Sequence, residues 1–137
     1  MKITAKLDYT CRILCELARE YSKGSPVRIE HLSKAEGVPA NFLAQILGEL
    51  RNGKLVVSRR GTQGGFLLAR HPAKITFLEI IEAVEGGLLE FSGNTAGRSS
   101  RRLKQIWDEV REAAAEKARG YTLEVIAAKA DAEMYYI

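Results

Sequence analysis

Asn41 and Gln45 stand four residues apart, Arg59 and Arg60 are neighbours, and Gln63, Gly64 and Gly65 close a glycine-bearing run that begins at Gly61. Each of these types can read or grip a polyanion. A carboxamide pairs a donor with an acceptor and so matches the adenine edge in a major groove bidentately. A guanidinium suits phosphate oxygens and narrow minor grooves. Glycines permit positive φ and remove side chains that would keep a backbone at a distance. Ala40 and Ala44, beside the two carboxamides, are small enough for close approach. The plainer alternative is that Asn41 and Gln45 are solvated positions and the arginine pair a solvated hairpin end.

Catalysis is not what these residues offer. No nucleophile–base pair with a third orienting group stands out, nor a carboxylate pair in a recognisable setting. Residues 61–65 lie between two strand-like runs and not at a strand-to-helix turn, which is the context a phosphate-cradling loop requires. Cys11 and Cys15 cannot make a disulfide framework, and with His31 and His71 they are not spaced as zinc ligands. No metal and no cofactor are expected.

The elements that must position these side chains occupy residues 27–69. Ile29, Leu32 and Ser33 mark a short helix over 28–34, which Gly37 breaks. Pro39, with its fixed φ, takes the first position of a second helix over 39–51. Phe42, Leu43, Ile46, Leu47 and Leu50 recur at threes and fours, giving that helix one apolar face. Asn41, Gln45 and Glu49 are left on the other. Gly53 stops it, and two β-rich runs, 55–59 and 66–69, predict a hairpin across a glycine-bearing turn. Helix, four-residue break, helix, hairpin is the layout of a winged helix-turn-helix. In that arrangement the N-terminal end of the second helix enters the major groove.

The remaining segments read as support. Leu7, Cys11, Leu14, Cys15, Ala18 and Tyr21 form one stripe of an amphipathic helix over 4–22. The two thiols on it read as small core hydrophobes; a thiol sensor is the sharper alternative, opposed by the raised pKa of a buried thiol. Thr76 and Glu79 form a capping box ahead of a helix that ends at Gly86-Gly87. Residues 86–98 are a long loop rich in Gly, Ser and Asn. A long amphipathic helix over 99–117 carries Leu103, Ile106, Trp107 and Val110 on one stripe and would span ~30 Å. That exceeds what a small winged domain needs for its own core, so pairing with the same helix of a second chain is expected, with Trp107 as its anchor. Folding back onto its own domain is the alternative. Thr122 caps a short last helix through Leu123, Val125 and Ile126.

Whole-chain properties agree. The chain has 137 residues and a formal charge of +4, unevenly placed: residues 1–70 hold 12 Lys+Arg against 6 Asp+Glu, residues 71–137 hold 9 against 11. A basic front half suits a polyanion partner. No run approaches the ~20 apolar residues of a membrane span, and the first ten residues lack a signal-peptide core. A cytoplasmic protein with no membrane partner is therefore expected.

The runs MKITAKLDYTCRILCELA, GVPANFLAQILGELRNGKLVVSRRGTQGGFLLAR and ITFLEIIEAVEG together resemble the Rrf-type family of bacterial regulators, which includes IscR and CymR. The resemblance covers residues 1–87 closely and the long helix in order. It implies a mostly α fold: a winged helix-turn-helix DNA-binding domain over 1–86 with a two-stranded wing, then a loop, a long dimerisation helix and a C-terminal helix over 87–137. It implies a cytoplasmic homodimeric transcription regulator, usually a repressor, bound to double-stranded DNA at a near-palindromic operator. DNA contacts would fall on Asn41, Phe42, Gln45, Arg59, Arg60, Gln63, Gly64 and Gly65, and dimer contacts on Leu103, Ile106, Trp107 and Val110. Members that sense iron–sulfur status carry three cysteines in the loop before the long helix; residues 86–98 contain none. The cluster is not inherited with the fold, and a small-molecule or protein effector stays unidentified. A winged-helix module for protein contacts, or a redox or iron–sulfur sensor on the same fold, is the competing reading.

Overall fold

The computed structural model describes residues 2–136. Thr4 caps α1 (Ala5–Glu20), its hydroxyl accepting from the Leu7 N–H at 3.1 Å. Ile13, Leu14, Cys15 and Leu17 of α1 are buried. A 3-10 turn (Tyr21–Lys23) closed by Gly24 at φ 70 ends the segment.

The helix pair follows as α2 (Ile29–Glu36) and α3 (Ala40–Asn52). Gly37 at φ 66 caps α2 in the left-handed region, which turns the chain toward α3. Ser33 fastens the break by donating its hydroxyl to the Val38 carbonyl at 2.7 Å. Pro39 lies one position earlier than its expected place: at φ −58 and ψ 134 it is the cap, and helical geometry starts at Ala40. The ring fixes φ but leaves ψ free to stay extended. Leu43, Ile46, Leu47 and Leu50 fill the core, each contributing roughly 1.5–3 kcal/mol of transfer free energy. Phe42 departs from its expected core position and is 44% exposed. It sits in the first turn of α3, where its neighbour is the Tyr9 ring of α1 at 5.9 Å.

The wing is β1 (Val56–Arg59) against β2 (Gly65–Leu68), antiparallel, with Val56 opposite Leu68 and Arg59 opposite Gly65. Its base is buried at Val56 and Leu68, and exposure rises toward the turn. A third extended segment, absent from the sequence reading, joins it as Val27 bridges Phe66.

Thr76 opens α4 (Phe77–Glu85) with both hydrogen bonds of a capping box. The long helix is α5 (Ser100–Arg119), and α6 (Leu123–Tyr136) runs further than the short helix expected. The reason is packing: α6 lies along α1, with Leu123 and Ala127 in the same buried cluster as Ile13 and Leu14. Residues on both sides of position 86 thus share one buried cluster. The Leu123 N–H donates to the Ile75 carbonyl at 2.9 Å, a further tie across that position. Among the described residues no helix is long and apolar enough to cross a membrane.

Candidate nucleic-acid interface

The face of α3 turned away from the core carries Ala40, Asn41, Ala44 and Gln45, all exposed. Glu49, the carboxylate on this face, is bound by Lys6 at 2.8 Å, which removes its repulsion toward an anion. The helix start has no acidic residue in its first turn and no side-chain cap. Its free N–H groups and dipole thus present a positive end beside Asn41.

On the wing, Ser58, Arg59, Arg60, Gly61, Thr62 and Gln63 are exposed. Arg28, at the start of α2, donates to the Thr62 carbonyl at 3.3 Å and so ties the turn to the helix pair. Arg51, from the last turn of α3, reaches Ser58 Oγ at 3.5 Å. Among the described residues, Arg28, Arg51, Lys54, Arg59 and Arg60 have no carboxylate within 4.0 Å, whereas Arg12, Arg19, Arg70, Arg111 and Arg119 each have at least one. Cations without a carboxylate partner keep their charge available for phosphates.

Gly64 and Gly65 are half-buried and are demanded by the chain itself. A Cβ on Gly64 would lie 2.5 Å from the Arg59 carbonyl oxygen, and one on Gly65 2.5 Å from that of Val27, at φ +154. They shape the turn that presents Arg60 and Gln63.

The expected dimer residues have a distinct setting. Leu103, Ile106, Trp107 and Val110 are 51%, 38%, 50% and 43% exposed. The adjoining side of α5 is what holds its own chain: Arg111 donates to the Leu89 carbonyl at 2.9 Å, Lys104 lies 5.7 Å over the Phe91 ring, and Ala115 and Ala118 are buried. Lys104 and Arg111 also hold the Asp108 carboxyl below its usual range.

Cys11 is half-buried and Cys15 buried. Burial pushes their thiols up to about 12 and about 11, which suppresses the nucleophilic thiolate. These are the chain's two cysteines, both on α1. An iron–sulfur cluster held by thiolates of residues 86–98 does not fit this chain.

One grouping was invisible to sequence spacing, because α1 and α2 bring it together. Glu16, only 8% exposed, faces His31 Nε2 at 3.0 Å and Arg19 at 3.1 Å. Arg19 also binds Glu36 at 2.9 Å and Asp131 at 2.7 Å. Burial raises the Glu36 carboxyl above its usual range, against the pull of Arg19 and with Glu16 adding to the rise.

A carboxamide-bearing helix exposed beside an arginine-bearing hairpin, both braced by a helix-turn-helix, defines a winged helix-turn-helix DNA-binding protein. The Rrf2 family, described as iron-dependent transcriptional regulators, matches residues 3–129, and the chain belongs to it. It is 32% identical over 141 residues to the HTH-type transcriptional regulator CymR of Bacillus subtilis (strain 168), a match spanning 100% of both chains. It is 34% identical over 85 residues to IscR of Xenorhabdus nematophila, covering 62% of this chain and 51% of that one. Among solved structures, CymR, described as the global cysteine regulator of B. subtilis, superposes with a TM-score of 0.80 at 29% identity, over 94% of this chain and 98% of that one. IscR of T. potens gives 0.76 at 28% identity, over 95% and 88%. The chain is a DNA-binding transcription regulator and not an enzyme.

Proposed function

We propose that the protein is a homodimeric repressor that occupies a near-palindromic operator. The supporting observation is the orientation of α5. It spends its polar side on its own loop and leaves Leu103, Ile106, Trp107 and Val110 as an exposed stripe. Apolar side chains aligned in this way are stabilised by a second copy related by a twofold axis, where the same patch serves both chains. Trp107 also walls an apolar cavity of about 900 Å³ shared with Leu7, Phe77, Ile81 and Phe91, so pairing along α5 covers its mouth too.

Each subunit then offers one reading head. Asn41 and Gln45 read base edges, with Phe42 beside them against the thymine methyl or the sugar. Arg59, Arg60 and Gln63 hold the flanking backbone or minor groove, on a turn that Gly64 and Gly65 allow to lie close. Two heads set by one twofold axis match half-sites separated by about one helical turn, ~34 Å. Repression follows from occupancy of the operator and rests on the family's usual mode of action.

Selection of bound duplexes from a random pool, with the mass of the protein measured by sedimentation, tests the reading. Recovery of an inverted repeat by a species of twice the chain mass is expected. A monomer, or enrichment of single unpaired sites, would overturn it. Loss of all duplex binding at low salt would favour a protein-contact module instead.

A further inference from the structure

Glu16, Glu20 and His31 each bring one ligand atom to within 4.8 Å of the others. The two carboxylates are four apart on one face of α1, and the imidazole comes from α2 packed against it. His31 Nε2 stands 3.0 Å from Glu16 Oε1, near the spacing of two donors around an ion with bonds of ~2.0–2.2 Å. We propose that these three side chains form a binding site for a divalent first-row transition-metal ion, of which Zn²⁺ is the test case, joining α1 to the first helix of the helix-turn-helix.

Glu16 is buried, and its second oxygen is held by Arg19 at 3.1 Å, which aims the first at His31. Outer hydrogen bonds of this kind orient ligands in metal sites. The charges also leave room for a cation. Glu16, Glu20, Glu36 and Asp131 are four carboxylates paired with two cations, Arg19 and Lys23, and an ion of charge two balances the remainder. Lys23 is a weak competitor, because its side chain is 66% exposed and its pair with Glu20 is a surface one.

The donor set selects the class of ion. Two oxygens and one imidazole nitrogen, without a thiolate, suit borderline and harder divalent ions and not soft ones. His31 ligates through Nε2 once its neutral ring carries the proton on Nδ1. The imidazole is on the solvent side, with 53% of its side chain exposed, so water can complete the coordination sphere.

The test uses the untagged full chain, stripped with a chelator and titrated with ZnCl₂ by calorimetry. About one ion per chain is expected, with affinity falling about tenfold or more in His31→Ala and in Glu20→Gln. His71→Ala is the control, since His71 is the other imidazole near a carboxylate, 3.8 Å from Glu124. It should change nothing. His31 and Glu20 are not buried, so both variants should fold, which circular dichroism checks. Mn²⁺ should broaden the His31 ring resonances and spare those of His71. Absence of saturable uptake, uptake unaltered by both variants, or loss of uptake in His71→Ala would each overturn the site. The readout is ion binding alone, so it is independent of whether the chain dimerises on DNA.

Discussion

Val27 and Phe66 exchange two backbone hydrogen bonds, each 2.9 Å, so an isolated β-bridge joins the segment entering α2 to the wing. The bond pair fixes the hairpin relative to the helix pair. Gly65 is the residue that lets the two backbones meet, since any side chain there would strike the Val27 carbonyl. The hairpin is consequently anchored to the segment that enters α2.

Gly65→Ala is therefore expected to destabilise the fold by about 2 kcal/mol or more, combining a steric clash with an unfavourable φ. Gly61→Ala, at φ +103 with open space around it, carries only the conformational part, about 1 kcal/mol. Urea unfolding of both variants checks the order. Equal losses would mean that the Val27 contact contributes nothing.

Replacing Arg59 and Arg60 together with alanine should weaken binding to every duplex, operator or not. At ~0.9 per phosphate contact, the slope of log affinity against log salt should flatten by about two units. Fluorescence anisotropy across a salt series reads this directly. A loss confined to the operator would reassign the pair to base reading.

Gln45→Ala should do the reverse. Affinity for random DNA should hold, while discrimination at one base pair per half-site falls by ~1–3 kcal/mol. Competition with single-base operator variants identifies that pair. Uniform weakening across the variants would make Gln45 a backbone contact.

Leu103→Ala combined with Val110→Glu places a charge in the exposed stripe of α5 and leaves Trp107, Lys104 and Arg111, which face residues 88–93, in place. Sedimentation should show single chains with helix content preserved, and operator affinity should fall steeply. A dimer that survives both changes would locate the twofold elsewhere.

Cys11 and Cys15 should alkylate slowly in the native protein. A rise from 9.0 to about 12 lowers the Cys11 thiolate at pH 8 by roughly a thousandfold, at tenfold per unit. For Cys15, at about 11, the factor is roughly a hundred. Because the folded values lie above the unfolded ones, the stability gained from neutral thiols is complete below about pH 9. It is lost as pH rises through 11 and then 12. Native labelling as fast as in urea would restore the thiol-sensor reading.

Residues 27–69 announced their own fold because the information is local. Leu43, Ile46, Leu47 and Leu50 repeat at the helical period, Gly37 and Gly53 mark ends, and Thr76 with Glu79 writes a capping box. The outward placement of Asn41 and Gln45 was legible for the same reason, since a polar residue opposite an apolar stripe must face outward. Tertiary structure alone decided the rest. Phe42 obeys the period yet is 44% exposed, with its ring beside that of Tyr9, a residue far away in the chain. The bridge between Val27 and Phe66 is another such contact, and no pattern within either segment encodes the meeting. The length of α6 and its burial follow from docking on α1, where Arg19 finds Asp131 112 positions later. Glu16, Glu20 and His31 converge only when α2 packs on α1. Periodicity fixes which face of a helix is apolar, but what that face meets is set by long-range packing.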